Sequence, residues 1–369
     1  MQQLDLFDKI GELNPNYRET ESTEWKWSFK DYPESQDIKV FSCFACGGGS
    51  TMGYKLAGCK VLGDLEIDPR INEVYVKNHN PKFNYVMDIR DFNRLEELPE
   101  ELYHLDILDG SPPCTCFSMA GDREDTWGKK KKFAEGQAEQ TLDDLSFHFI
   151  ETVNKLRPKV VIMENVEGLL LGEAWTYVQR IYQGFNEIGY DLKHYLVKCE
   201  RLGVPQTRLY AVFVGVRKDL SFNYDLLDMS FNYKPVTYGE IRTGYQPDLT
   251  QYYYDLSDKA IHSDKCVADT KERLGGKRSS FNIRYVRDNE VLSTLRASNL
   301  DTIDLTKKKT ISIESAILSQ TFPTDFDFIK NTRANIGFIL GMSVPPLMIK
   351  RVVERLKQTG IFDKEDTNE

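Results

Sequence analysis

From Ile38 onward, short apolar runs alternate with stretches of helical periodicity, the pattern of an α/β domain built on a largely parallel sheet. The runs IKVFSCF (38–44), VLGDLEI (61–67), LDILDG (105–110), KVVIMEN (159–165), DLKHYLVKC (191–199) and LYAVFVGV (209–216) are predicted strands. Apolar side chains recur at helical spacing over 70–79, 144–156 and 174–188. The rhythm breaks after Val216. Residues 218–290 are rich in Tyr, Asn, Asp, Lys and Arg, with a Gly275-Gly276 turn and few buried-strand runs. Helical periodicity returns over 312–322, 333–342 and 345–357. Residues 1–36 are polar and acidic and read as a mobile arm. The expected organisation is therefore an arm (1–36), a main domain (37–217), a small irregular insert (218–290) and a segment that completes the main domain (291–369).

Composition narrows this only a little. Hydrophobic residues at 40% and charged residues at 28% suit a globular domain. No apolar run approaches the roughly 20 residues of a membrane span. The opening MQQLDLFDKI lacks the basic flank and apolar core of an export signal, so a cytoplasmic protein is expected. Seven irregularly spaced cysteines then suggest reduced thiols. The net charge of −9 counts against nucleic-acid binding, but phosphate contacts need only a local basic surface. Lys129 to Lys132 supply one, and the stretch from Lys271 to Arg296, with Arg278, Arg284 and Arg287, supplies another.

The first chemical signal is FACGGGSTMGYKLAG (44–58), where Gly48 and Gly49 follow a strand. Glycines at a strand-to-helix turn let backbone N–H groups approach a ligand. Glu66, about 20 residues on, is placed to take both ribose hydroxyls. Asp88, beside Ile89 after a third strand, suits an adenine amino group. Together these favour an adenosine cofactor and leave nicotinamide and S-adenosylmethionine both open. The segment DGSPPCTCFS (109–118) follows the next strand, at the edge where open α/β sheets bind ligands. Pro112 and Pro113 stiffen the turn before Cys114, which makes that thiol a candidate nucleophile. Glu164 and Asn165 end the following strand, and Arg208, in GVPQTRLYAVFVGVR (203–217), begins a later one.

PPC, ENV and Q-x-R in that order, after an F-x-x-G-x-G-type turn, resemble the motif set of the C5-cytosine DNA methyltransferases. The resemblance covers residues 38–217 and resumes at about 291–357. It implies a Rossmann-like S-adenosylmethionine-dependent methyltransferase sheet with one antiparallel strand, facing a target-recognition domain that falls at 218–290. It also implies a cofactor site formed by Phe44, Gly48, Gly49, Glu66, Ile67, Asp88, Ile89, Asp109, Pro113, Leu145, Met342 and Ser343. Cys114 would add to cytosine C6, because C5 is a poor nucleophile until the ring becomes enamine-like. Glu164 would hold the N3 proton and the exocyclic amine, Arg208 the base or a carboxylate, and Asn165 the Cys114 loop. The cytosine must be flipped from its duplex, with the segment from Met119 to Asp143 as lid and Lys129 and Lys130 near phosphates. Arg278, Arg284 and Arg287 are candidates to read DNA. Three positions depart from the family pattern. Cys46 stands for the first glycine, Tyr210 for a second arginine, and Met342 for an asparagine.

Competing readings are an RNA methyltransferase of the same fold, a nicotinamide oxidoreductase, and a catalytically inactive DNA-binding protein. Cys43-x-x-Cys46 with Cys114-x-Cys116 could be taken for a metal site, but no zinc-ribbon spacing follows and none is expected. Separately, Gln3, Leu4, Leu6 and Phe7 in QLDLF match the peptide by which partners bind the bacterial sliding clamp. A monomer acting on double-stranded DNA is expected, in a restriction-modification setting or as a solitary or phage-borne enzyme.

Overall fold

The computed structural model describes residues 22–113, 144–172, 174–278, 282–297 and 300–363. Strand β1 (Lys39–Cys43) is buried along almost its whole length rather than on alternate residues, as a strand covered on both faces must be. It lies inside a seven-stranded sheet with β2 (Lys60–Glu66), β3 (Phe83–Val86), β4 (Ile107–Gly110), β5 (Val160–Val166), β6 (Tyr190–Lys198) and β8 (Leu209–Arg217). A two-residue strand, β7 (Gln206–Thr207), pairs instead with β10 (Leu292–Ser293). The order is β3-β2-β1-β4-β5-β8-β6. Strands β1 to β5 pair in parallel, while β8 runs antiparallel to both β5 and β6. The expected sheet with one antiparallel strand is the one observed. The chain fills one side of β1 with β2 and β3 and then crosses to β4, so a crevice opens beyond the carboxyl ends of β1 and β4.

Helices α1 (Gly49–Leu56), α2 (Pro69–His79), α3 (Ile89–Arg94), α4 (Leu145–Leu156) and α5 (Ala174–Glu187) connect these strands. Their starts are written locally. Asp68 caps α2 by accepting from the Arg70 amide at 2.9 Å, with Pro69 at the first helical position. Asp88 caps α3 in the same way at 2.8 Å. Further along lie α6 (Tyr238–Ile241), α7 (Gln251–Asp258), α8 (Val267–Arg273), α9 (Ile313–Ser319), α10 (Arg333–Met342) and α11 (Pro346–Gln358). One face of the sheet is covered by Phe92, Phe149, Val153, Val178, Ile181 and Phe185 from α3, α4 and α5. The other is covered by Tyr54 of α1 and Leu347, Met348, Val352, Val353 and Leu356 of α11. The result is three layers, and truncating a ring such as Phe185 to alanine should cost about 3–5 kcal/mol.

Three expectations shift. The arm is packed from residue 22 onward, where Trp27 is buried, its indole donates to the Thr321 carbonyl at 2.8 Å, and Glu24 pairs with Lys350 and Arg351. The insert does not end at 290. Strand β9 (Tyr285–Val286) pairs with β11 (Ile303–Asp304), which pairs with β12 (Lys309–Thr310), so the small lobe runs to Thr310. At its other end Leu227, Met229 and Phe231 pack with the main sheet instead. Finally, the helical run Arg333–Gln358 is long and apolar enough to cross a membrane by composition, but 83% of its most apolar window is buried inside the protein. It is also broken in two at Ser343–Pro345, between α10 and α11.

Candidate active site

A cleft of about 1530 Å³ opens where the strand order reverses. Its first wall is the turn after β1. Phe44, Cys46 and Gly48 all adopt left-handed backbone, at φ of 57°, 48° and 86°. A residue with a side chain is strained there, which explains why the family pattern has glycine where Cys46 stands. Gly48 and Gly49 do not line the cleft; they permit close packing behind it. A Cβ on Gly48 would lie 2.0 Å from His79 Nε2, and one on Gly49 would lie 2.1 Å from the Val344 carbonyl oxygen.

Glu66, at the tip of β2, enters the cleft with its carboxylate already held by the main chain. One oxygen accepts from Cys46 N at 2.8 Å and the other from Asp68 N at 2.9 Å. Burial still raises its pKa, although these N–H groups oppose the shift. The carboxylate still lines the cleft, where it can accept from a ligand hydroxyl. Ile67, Ile89 and Leu145 add apolar surface, and Asp68 and Asp88 add charge. Asp88 is ion-paired with Arg90 at 3.0 Å. Paired hydroxyl acceptors, apolar walls and an acidic rim fit a cationic nucleoside such as S-adenosylmethionine. Asp109 does not take part directly. It is 1% exposed beneath the cleft, accepts from Ser42 and Tyr54 at 2.6 and 3.0 Å, and is pushed up to about 7 by burial.

The second wall comes from β4, β5 and β8. Ser111, Pro112 and Pro113 line it, and the next residue, Cys114, lies outside the described residues, as do Lys129 and Lys130. Asn165 donates to the Pro112 carbonyl at 3.2 Å and accepts from Val166 N at 2.9 Å, which ties the tip of β5 to the proline turn. Glu164 lines the cleft while only 8% exposed. Burial raises its pKa, against an opposing hydrogen bond from Ser111 and the charge of Arg208. Arg208 donates to the Gly341 carbonyl at 3.0 Å and lies over the Tyr210 ring. Met342 is half exposed on the rim, whereas the buried Ser343 hydroxyl contacts the Cys46 thiol at 3.7 Å.

Of the arginines expected to read DNA, only Arg284 lines the cleft. Arg278 pairs with Asp269 and Glu272, and Arg287 pairs with Glu290 and donates to the Ile261 carbonyl. Both are paired within the lobe. Arg296, the last of the basic stretch from Lys271, also lines the cleft, whereas sequence reasoning missed Ser111, Glu200 and Ser293. Ser111 sits inside a motif already singled out, while nothing in the local sequence marks Glu200 and Ser293.

The model of the C-5 cytosine-specific DNA methylase family matches residues 38–358. The Type II methyltransferase M.FnuDI of Fusobacterium nucleatum is 27% identical over 89% of this chain and 96% of its own length. M.Sau96I of Staphylococcus aureus is 26% identical over 88% and 76%. A crystal structure of a Spodoptera frugiperda DNMT2 mutant superposes with a TM-score of 0.59 at 14% identity, covering 87% of this chain and all of that one, which is a likeness of fold. With the family's motifs converging on one cleft, the chain belongs to the C-5 cytosine-specific DNA methylases, enzymes that methylate cytosine in DNA with S-adenosylmethionine as donor.

Proposed function

We propose that the chain methylates C5 of a cytosine flipped out of a specific duplex sequence, through a covalent bond between Cys114 and C6. The observation that carries this is the convergence of Glu164, Asn165 and Arg208 on the turn that leads into Cys114. S-adenosylmethionine, when bound, supplies the methyl group as an electrophile. Glu66 would hold its ribose, with Phe44, Ile67, Ile89 and Leu145 around the base. The Cys114 thiolate adds to C6, and the electron pair moves to C5. Glu164, whose pKa burial raises, holds N3 and the exocyclic amine as charge develops on the ring. Once C5 is methylated, its hydrogen leaves as a proton, the C6–S bond breaks, and the thiolate and aromatic ring are restored.

The small lobe would set the sequence read, with Arg284 at the cleft. The peptide at Gln3, Leu4, Leu6 and Phe7 lies outside the described residues; we propose from its sequence that it binds a sliding clamp.

The decisive experiment uses DNA carrying 5-fluorocytosine at the site found by bisulfite sequencing. Cys114→Ser should bind DNA, show no methylation and form no denaturation-resistant complex, whereas wild type should be trapped. A trapped Ser variant would move the nucleophile elsewhere. Transfer RNA assayed in parallel separates a DNA enzyme from an RNA enzyme of the same fold.

A further inference from the structure

Arg208 has a flexible stem, and a side chain of this kind loses much rotamer freedom when it is held in one pose. Its surroundings hold it nonetheless. Nη2 donates to the Gly341 carbonyl at 3.0 Å, and the guanidinium carbon stands 5.0 Å from the centroid of the Tyr210 ring. Nη1 is buried and has no partner among the described residues, in a residue that lines the cleft with Glu164.

Tyr210 is a rigid support. It is 2% exposed on β8, paired across the backbone with Val166 of β5 and Val197 of β6. Its hydroxyl reaches the Ser343 carbonyl only at 3.5 Å, and that oxygen is already taken by Gln320 at 2.6 Å. The ring is part of the core on that face of the sheet and also lies against Arg208. Position 210 is also where the family pattern places a second arginine. A tyrosine there brings no charge, but it offers a negative ring face to the cation beside it.

We infer that Tyr210 is a positioning residue that fixes the Arg208 guanidinium beside Glu164 and leaves Nη1 for the substrate, so that one arginine serves where the family pattern has two. This rests on the reading of Arg208 as a contact made during the reaction. Loss of the ring face should then lower the chemical step and leave binding of both substrates alone.

The test compares single-turnover methylation, KM for DNA and cofactor affinity for the full chain and for Arg208→Ala, Tyr210→Phe, Tyr210→Met and the Arg208→Ala/Tyr210→Met double variant. Tyr210→Met should slow methylation by about tenfold or more, with KM and cofactor affinity within about threefold of wild type. Tyr210→Phe, which keeps the ring face, should recover most of the rate. In the Arg208→Ala background, Tyr210→Met should cause no further loss. An additive loss in the double variant, or a Met variant at wild-type rate, overturns the inference. If Tyr210→Met does not fold, a fluorinated phenylalanine at 210 keeps the ring volume, weakens its negative face and is compared with Tyr210→Phe. If Arg208→Ala itself methylates at wild-type rate, the reading of Arg208 has failed instead, and the two failures are told apart.

Discussion

Glu66 and Asp109 are both carboxylates at the ends of inner strands, and the sequence marks both as cofactor ligands; the structure separates them by where their oxygens point. Those of Glu66 accept one backbone N–H each and still face the cleft, whereas those of Asp109 are turned inward onto Ser42 and Tyr54. Removing Glu66 should forfeit two charge-assisted hydrogen bonds to the cofactor, each worth about 1.5–3 kcal/mol. Titration calorimetry should accordingly show Glu66→Ala losing cofactor affinity by about a hundredfold or more. Asp109→Asn should alter affinity little. Equal losses in the two variants would mean that Asp109 governs the site through the turn it supports. Residue identity was legible here because strand tips are where such chemistry sits. Side-chain direction was not, since it depends on Ser42 and Tyr54 from other elements. The same limit applies to Arg278 and Arg287. Their basicity was visible, but Asp269, Glu272 and Glu290, which neutralise them, act through folded proximity.

The inner strands of the main sheet were readable to within a residue or two, because strands buried on both faces produce unbroken apolar runs, whereas the edge strand β3, partly exposed along its length, was given no bounds. The small lobe offered no such signal. Its strands β9, β11 and β12 are two residues long, too short to show any period. Tertiary contacts hold them instead. Asp304 is fully buried at the end of β11; it pairs with Arg242 at 2.7 Å and accepts from Gln246 at 2.9 Å and from Thr306 N at 3.0 Å. Asp288 pairs with the same arginine. The lobe's own apolar core is small, centred on Val267, Tyr285 and Ile303. Breaking a buried pair by removing one partner typically costs about 3–5 kcal/mol, since the other charge is stranded. Asp304→Ala should therefore loosen the lobe without unfolding the sheet. Hydrogen exchange should rise across α7 and α8, and specific DNA binding should fall, while cofactor affinity is retained. Unchanged exchange there would show that the apolar core alone suffices.

At the scale of the whole molecule, the two ends of the resolved architecture bear on how the enzyme meets its DNA. The described chain starts at Ser22 and is fastened by Glu24 to Lys350 and Arg351 of α11, a helix none of whose residues line the cleft. A partner held through residues 3–7 would therefore be tethered to the back of the catalytic domain. Fourteen residues lie between Phe7 and Ser22, enough to span at most about 50 Å when extended. Leu4, Leu6 and Phe7 offer three apolar anchors worth about 1.5–3 kcal/mol each when buried, which can offset the ordering of a short peptide and leave micromolar binding. Tethering at that reach raises the local concentration of DNA without any contact to its sequence. A peptide of residues 1–12 should accordingly bind a bacterial sliding clamp in fluorescence titrations, and Leu6→Ala with Phe7→Ala should remove the binding. The same double change in the full chain should leave methylation of short oligonucleotides intact and slow methylation of replicating DNA in cells. If the peptide fails to bind at high micromolar clamp, the tether is excluded. If the double variant loses activity on oligonucleotides together with thermal stability, the segment is instead a structural part of the catalytic domain.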